Sequence, residues 1–219
     1  MGVSGGRPGP GYRLVGAAGA LAAVLFIALF RLRRLGPLDF WSWFTLNIII
    51  LVALSSVLDG GYLGRLRLDM RTGFLRKAVL GIASAAVLYA VFAVGRVMAF
   101  RFLPFAGAGI ENVYALKAGV PLLRVVLLIG LVIGPGEELF WRGFFQERAG
   151  ATTSRRYGFV LATLLYTAVH LASGNIMLIL AAAVCGVFWG WLYLRFRSVV
   201  LNIVSHTFWD LMVFVLFPF

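Results

Sequence analysis

Residues 121–148 read PLLRVVLLIGLVIGPGEELFWRGFFQER. Pro121 suits the first turn of a helix, where its missing N–H removes no internal bond. From Val125 to Ile133 the run carries no charge. As one helix the stretch would extend roughly 42 Å at the helical rise per residue, more than the ~30 Å hydrocarbon core of a bilayer needs. Its middle nevertheless holds Pro135, Glu137, Glu138 and Arg142. A span-length apolar helix with paired carboxylates inside it sets two questions: what solvent surrounds the chain, and what the carboxylates meet.

The rest of the sequence answers the first. Of 219 residues, 62% are hydrophobic and only 13% charged, and mean hydropathy is +0.96. Soluble domains carry about 25% charged residues, so the bilayer must be the solvent. Nineteen Phe and six Trp suit lipid-facing and interfacial positions. The net charge of +12 lies in short clusters between apolar runs, which is the distribution of loop anchors and argues against a nucleic-acid partner. Cys185 is the only cysteine, so an intramolecular disulfide and a multi-cysteine metal site are both excluded.

The expected fold is all-α, a polytopic transmembrane bundle of about seven spans. A Gly- and Pro-rich tail is expected over 1–12, N-terminal membrane helices over 13–118, and a functional core over 119–219. The spans are Leu14–Phe30, Phe40–Leu58, Ala78–Phe100, Pro121–Arg148, Gly158–Leu171, Ile176–Leu194 and Ser198–Phe217. Arg31, Arg33 and Arg34 directly after the first span mark it as a retained anchor rather than a cleaved signal. Asp59–Lys77 is the one long polar loop, and Gly130/Gly134 and Gly186/Gly190 have the spacing that lets helices approach closely. With seven spans, one side gathers Arg7, Arg13, the five basic residues of loop 65–77, Arg148, Arg155, Arg156, Arg195 and Arg197. The other gathers Arg31, Arg33, Arg34, Arg101 and Lys117. That asymmetry puts the N-terminus in the cytoplasm and the C-terminus outside, in a multi-pass plasma-membrane protein.

Most acidic residues fall in loops or at span ends. Glu137, Glu138 and Asp210 do not, nor do Arg142, His170 and His206, the last two being the only histidines. A charge at the centre of a membrane helix costs about 2.5–3.5 kcal/mol, so these groups must meet one another or line a wet cavity. Counted from the flanking arginines, Glu137 lies roughly 16 Å deep, His170 roughly 21 Å, His206 roughly 14 Å and Asp210 roughly 20 Å. Three distant helices thus put their polar side chains in one layer. Glu138 and Arg142 are four residues apart and can pair on one helix face. Glu137, rotated about 100° from Glu138, can point elsewhere. Pro135 removes one helical hydrogen bond and can bend the span there. His206 and Asp210 are again four apart, so the aspartate can orient the imidazole. Trp141, Trp189, Trp191 and Trp209 read as packing or interfacial residues, and Tyr166 as packing.

Taken together, these residues resemble the CPBP family of intramembrane proteases, which includes the CAAX prenyl endopeptidases and bacteriocin-processing proteins. The first motif is Pro135-Gly-Glu137-Glu138-Leu-Phe-Trp-Arg142-Gly143. The second is Tyr166-Thr-Ala-Val-His170, with Tyr where Phe is usual. The third is His206-Thr-Phe-Trp-Asp210. The match covers about Pro121–Leu216. The resemblance implies an endopeptidase cutting a membrane-proximal or lipid-modified substrate tail, in which Glu137 and His170 hold and activate the attacking water. His206 and Asp210 would bind the oxyanion or position that water, and Glu138 and Arg142 would support the helix. No metal is assigned; zinc held by Glu137, His170 and His206 is the alternative cofactor reading. The implied partners are a membrane-associated peptide or protein substrate and the bilayer, with no nucleic acid. Two other functions fit the same residues: a proton-coupled transporter, since buried Glu, His and Asp also mark proton paths, and a non-catalytic immunity or scaffold protein. Against the transporter, no internal repeat is visible.

Overall fold

The computed structural model describes residues 10–219, and they fold as nine helices with no strand among them. They are α1 (Pro10–Leu32), α2 (Phe40–Leu58), α3 (Tyr62–Arg71), α4 (Phe74–Phe102), α5 (Ala106–Tyr114), α6 (Leu122–Thr152), α7 (Arg155–His170), α8 (Ile176–Phe196) and α9 (Val199–Leu211). The all-α membrane bundle read from the sequence is therefore the fold. Of the tail expected over 1–12, residues 1–9 lie outside the described residues, and Pro10, Gly11 and Tyr12 already belong to α1.

The span count is lower than the seven expected. Five helices are long and apolar enough to cross a membrane: Gly11–Leu32, Phe40–Leu58, Phe74–Phe102, Ile176–Phe196 and Val199–Leu216. A sixth is reached if Ala106–Lys117 and Leu122–Thr152, which meet at a 93° bend, count as one broken span. The remaining expected span, α7, has 16 residues, roughly 24 Å of helix against a core of ~30 Å. Its composition is apolar but its length falls short.

The surface confirms which solvent the bundle meets. Val57, Val94, Val97, Leu123, Leu131 and Leu164 are among many large apolar side chains that point outward. The interior packs Phe26, Phe140, Trp141, Phe144, Phe145 and Trp189, all but fully buried. Close crossings depend on glycine. A methyl group on Gly81 of α4 would lie 2.8 Å from Val204 of α9, and one on Gly136 of α6 would run into Ile48 of α2. The expected Gly186/Gly190 contact is made by α8 against Tyr166 and Phe159 of α7.

Polar side chains tie the helices at the two ends. At one end Asp59, just past α2, pairs with Arg65 of α3 at 2.6 Å and Arg148 of α6 at 3.6 Å. Asp69 of α3 pairs with Lys77 at 2.6 Å and accepts from the N–H of Val200, and Arg197 pairs with Glu147. At the other end Arg124 pairs with Asp39 at 2.8 Å, Trp41 Nε1 donates to the Leu116 carbonyl at 2.9 Å, and Asn175 Nδ2 to Gly109 at 2.7 Å. The long polar loop of the sequence is thus mostly helix, α3, lashed under the bundle.

Candidate active site

The functional groups of α6 sit where the helix changes its own winding. Ile129–Ile133 and Leu139–Gln146 are π-helical, and the single α turn Gly134–Glu138 lies between them. Pro135 has no N–H to give the ladder, and wider π turns are common at functional sites. The disturbance expected at Pro135 thus takes the form of changed winding. It frees backbone groups for other partners: Tyr62 of α3 donates its hydroxyl to the Leu139 carbonyl at 3.1 Å.

Glu138 and Arg142 pair at 2.8 Å as the spacing predicted, both all but fully buried. Glu138 does more than this. Its Oε1 also accepts from His206 Nδ1 at 2.8 Å, and its Oε2 accepts from Asn202 Nδ2 at 3.1 Å. It therefore joins α6 to α9 and holds the imidazole. The aspartate was expected to orient His206; instead Glu138 takes Nδ1, and Asp210 Oδ2 stands 3.4 Å from Nε2. Glu137 approaches the same Nε2, its Oε2 at 3.7 Å, while its Oε1 is buried without a hydrogen-bonding partner. The Trp189 indole stacks on His206, ring centroids 3.7 Å apart, and donates to Ser205 at 3.1 Å. With Glu138 on one nitrogen and an indole across its face, the ring of His206 is fixed in orientation.

His170 reaches the region from the opposite wall. It closes α7, its Nδ1 2.7 Å from the Tyr166 carbonyl, and its ring lies against Tyr166 and Phe30 at 4.9 and 5.0 Å between centroids. It makes no hydrogen bond or ion pair with Glu137 or His206, but all three line one cavity of about 620 Å³, together with Asp210 and Cys185. Most of the rest around that space is apolar, Phe40, Trp41 and Phe44 of α2, Val91, Phe92 and Met98 of α4 and Met177 to Cys185 of α8, and Arg96 of α4 adds one cation. Five of the six site residues named from the sequence, Glu137, Glu138, Arg142, His206 and Asp210, form one continuous cluster, and His170 lines the same cavity.

Among the described residues no three acidic, imidazole or thiol side chains stand close enough to share a metal ion. Two residues of the cluster escaped sequence reasoning. Asn202 is fully buried and bonds both Glu138 and the Trp189 carbonyl at 2.8 Å. Its signal was present, since it lies four residues before His206 and shares its helix face. Trp189 was read as packing, and no spacing rule could have laid it on an imidazole of another helix. Tyr166 packs, as read: its ring meets Trp141 edge-on at 5.3 Å and lies 5.0 Å below the Arg142 guanidinium. Trp141 and Trp209 are buried, and Trp191 is half exposed at the bundle surface.

Comparison with known proteins finds a match over the stretch that carries these residues. Residues 119–212 match the model of a family described as Rce1-like, type II CAAX prenyl endopeptidase. No curated protein and no solved structure matches the chain. The matched stretch runs from the start of α6 into the end of α9 and contains every residue of the cluster. The resemblance read from three motifs is therefore met over the same residues: this multi-pass membrane protein carries, from 119 to 212, the sequence pattern of the Rce1-like endopeptidases of the CPBP family.

Proposed function

We propose that the protein is an intramembrane endopeptidase that uses Glu137 as its base, with no resident metal. The observation that carries the reading is a carboxylate, Glu137, buried on the wall of an apolar cavity with one oxygen unpartnered and the other 3.7 Å from a fixed imidazole. Water drawn between Glu137 and His170 gives its proton to Glu137, and its oxygen attacks the peptide carbonyl. Negative charge then develops on the carbonyl oxygen and needs a donor. His206 is placed for this: Glu138 accepts from Nδ1–H, and in the imidazolium form Nε2–H faces the cavity between Glu137 and Asp210. The proton held by Glu137 passes to the leaving amine as the C–N bond breaks. Glu138, Arg142 and Asn202 act by holding His206.

The apolar lining favours substrates that are themselves apolar near the cut, in a membrane-proximal or lipid-modified tail. We place the chain in the plasma membrane with the end carrying Arg13, Arg65, Arg148 and Arg197 in the cytoplasm, in keeping with the excess of basic residues there. The test is co-expression with membrane-anchored candidate substrates and intact-mass analysis of the products. Wild type should yield two fragments whose masses sum to the substrate plus one water, and Glu137→Gln and His170→Ala none, with all three proteins inserted to equal levels. Cleavage that survives Glu137→Gln defeats the reading. Flux through proteoliposomes that stops in Glu137→Gln, with no fragment in any assay, points instead to a transporter.

A further inference from the structure

The cavity has a side that the chain itself covers. α4 is anchored to α9 near its start, where Gly81 meets Val204 and the Ser84 hydroxyl bonds Ser205 at 2.9 Å. Its second half is different. Val91, Gly95, Arg96, Met98, Ala99 and Phe102 line the cavity, with Val91, Met98 and Phe102 also exposed at the surface, while Val94, Val97 and Phe100 of the same turns face outward. This half is joined to the rest by Phe92, whose ring meets Trp209 of α9 edge-on at 4.7 Å, and by the segment Phe217–Phe219, which follows the π-helical turn Met212–Leu216 and folds back across α4. The Phe219 ring stacks on Tyr89 at 4.9 Å and 19° and on Phe92 at 6.4 Å and 16°, and it lines the cavity. Tyr89 donates its hydroxyl to the Phe217 carbonyl at 3.0 Å, and the Phe219 N–H donates to the Tyr114 hydroxyl at 3.0 Å. Tyr114 in turn donates to the Val213 carbonyl at 2.8 Å, and Lys117 to that of Phe214 at 2.7 Å. One short segment thus bridges α4 to the α5 region beside the mouth of the cavity.

We infer that Phe217–Phe219 is a strap that latches the second half of α4 over the cavity, and that its release opens the cavity sideways to the bilayer. The latch adds one stacked ring and two neutral hydrogen bonds at the bundle's surface to the single Phe92–Trp209 edge contact, whereas the Gly81–Ser84 crossing is close packing of backbone and side chains. Opening therefore hinges α4 at its first turns and swings its second half away, exposing the wall that carries Glu137 and Cys185. A bulky apolar group entering from the lipid can take the place of the Phe219 ring against Tyr89 and Phe92. The inference concerns access only and holds whether or not the site is a peptidase.

Cys185, the only thiol of the chain, lines the cavity and is 4% exposed, which makes it a built-in reporter. The full chain in lipid nanodiscs is treated with N-ethylmaleimide, and adduct formation is followed by intact mass. Phe219→Ala should raise the alkylation rate about ten-fold, the weight of a lost stacked ring and its seating. Tyr89→Phe, which keeps the stack and removes one hydrogen bond, should raise it less, and Phe219→Trp should leave it near the wild-type rate. Melting temperatures recorded for each variant separate opening from unfolding. Should Cys185 prove unreactive in every variant, hydrogen exchange over residues 91–102 decides, with faster exchange in Phe219→Ala expected. Equal alkylation in wild type and Phe219→Ala, or equal exchange where alkylation is silent, overturns the strap.

Discussion

Glu138 is the residue whose replacement should damage the fold most. It is 0% exposed and its two oxygens take hydrogen bonds from Arg142, His206 and Asn202. Glu138→Leu leaves the Arg142 guanidinium, itself 2% exposed, with no counter-charge. Removing one partner of a buried pair costs about 3–5 kcal/mol, roughly a fifth or more of a typical domain stability of about 5–15 kcal/mol. At about 2–4 °C per kcal/mol for a chain of this size, the melting temperature should fall roughly 6–20 °C. Arg142→Met should fall comparably, since it strands the carboxylate. The double variant Glu138→Leu/Arg142→Met should recover part of the loss, because neither charge is then buried alone. The assay is thermal unfolding of purified protein in micelles, followed by tryptophan fluorescence and repeated for all four members of the cycle. Additive losses, or a Glu138→Leu melt within a degree or two of wild type, would refute the claim that this pair is buried and coupled.

Glu137→Gln should behave oppositely. It keeps the volume of a side chain with one unpartnered oxygen, so melting should barely move while cleavage falls about 10²–10⁴-fold, as for loss of a general base. Asn202→Leu should lower activity more than stability, read as a shifted pH–rate profile, because it loosens the Glu138 carboxylate that holds His206. Gly136→Ala forces a methyl group onto Ile48 and should cost about 1–3 kcal/mol of stability; Ile48→Ala in the same chain should return part of it, measured as melting temperature. At the polar end, burial pushes the Asp59 carboxyl up, but the Arg65 hydrogen bond and the charges of Arg65 and Arg148 outweigh it and hold it below its ordinary value. Its stabilising share is therefore present above the unfolded value near pH 4 and is lost as pH falls through the lower folded value. Asp59→Asn should cost about 1 kcal/mol at neutral pH, and its melting curve should meet that of wild type only in acid below about pH 4.

The membrane class, the helical architecture and the identity of the chemically important residues could be read from the chain alone. Each rests on a local property. A run of apolar residues declares its solvent, i,i+4 spacing puts Glu138 with Arg142 and His206 near Asp210 on one helix face, and a charge inside such a run is too costly to be idle. Length is local too, but boundaries are not. The short α7 and the 93° break before α6 depend on how neighbours pack, so the span count was overestimated. What joins to what was decided only when nine helices closed together. Glu138 rather than Asp210 holds His206, Trp189 covers its face, and His170 lines the same cavity as Glu137 without bonding it. The Glu138–His206 hydrogen bond acts over a few ångströms between residues 68 positions apart in the chain, and no periodicity within one helix encodes the rotation of another.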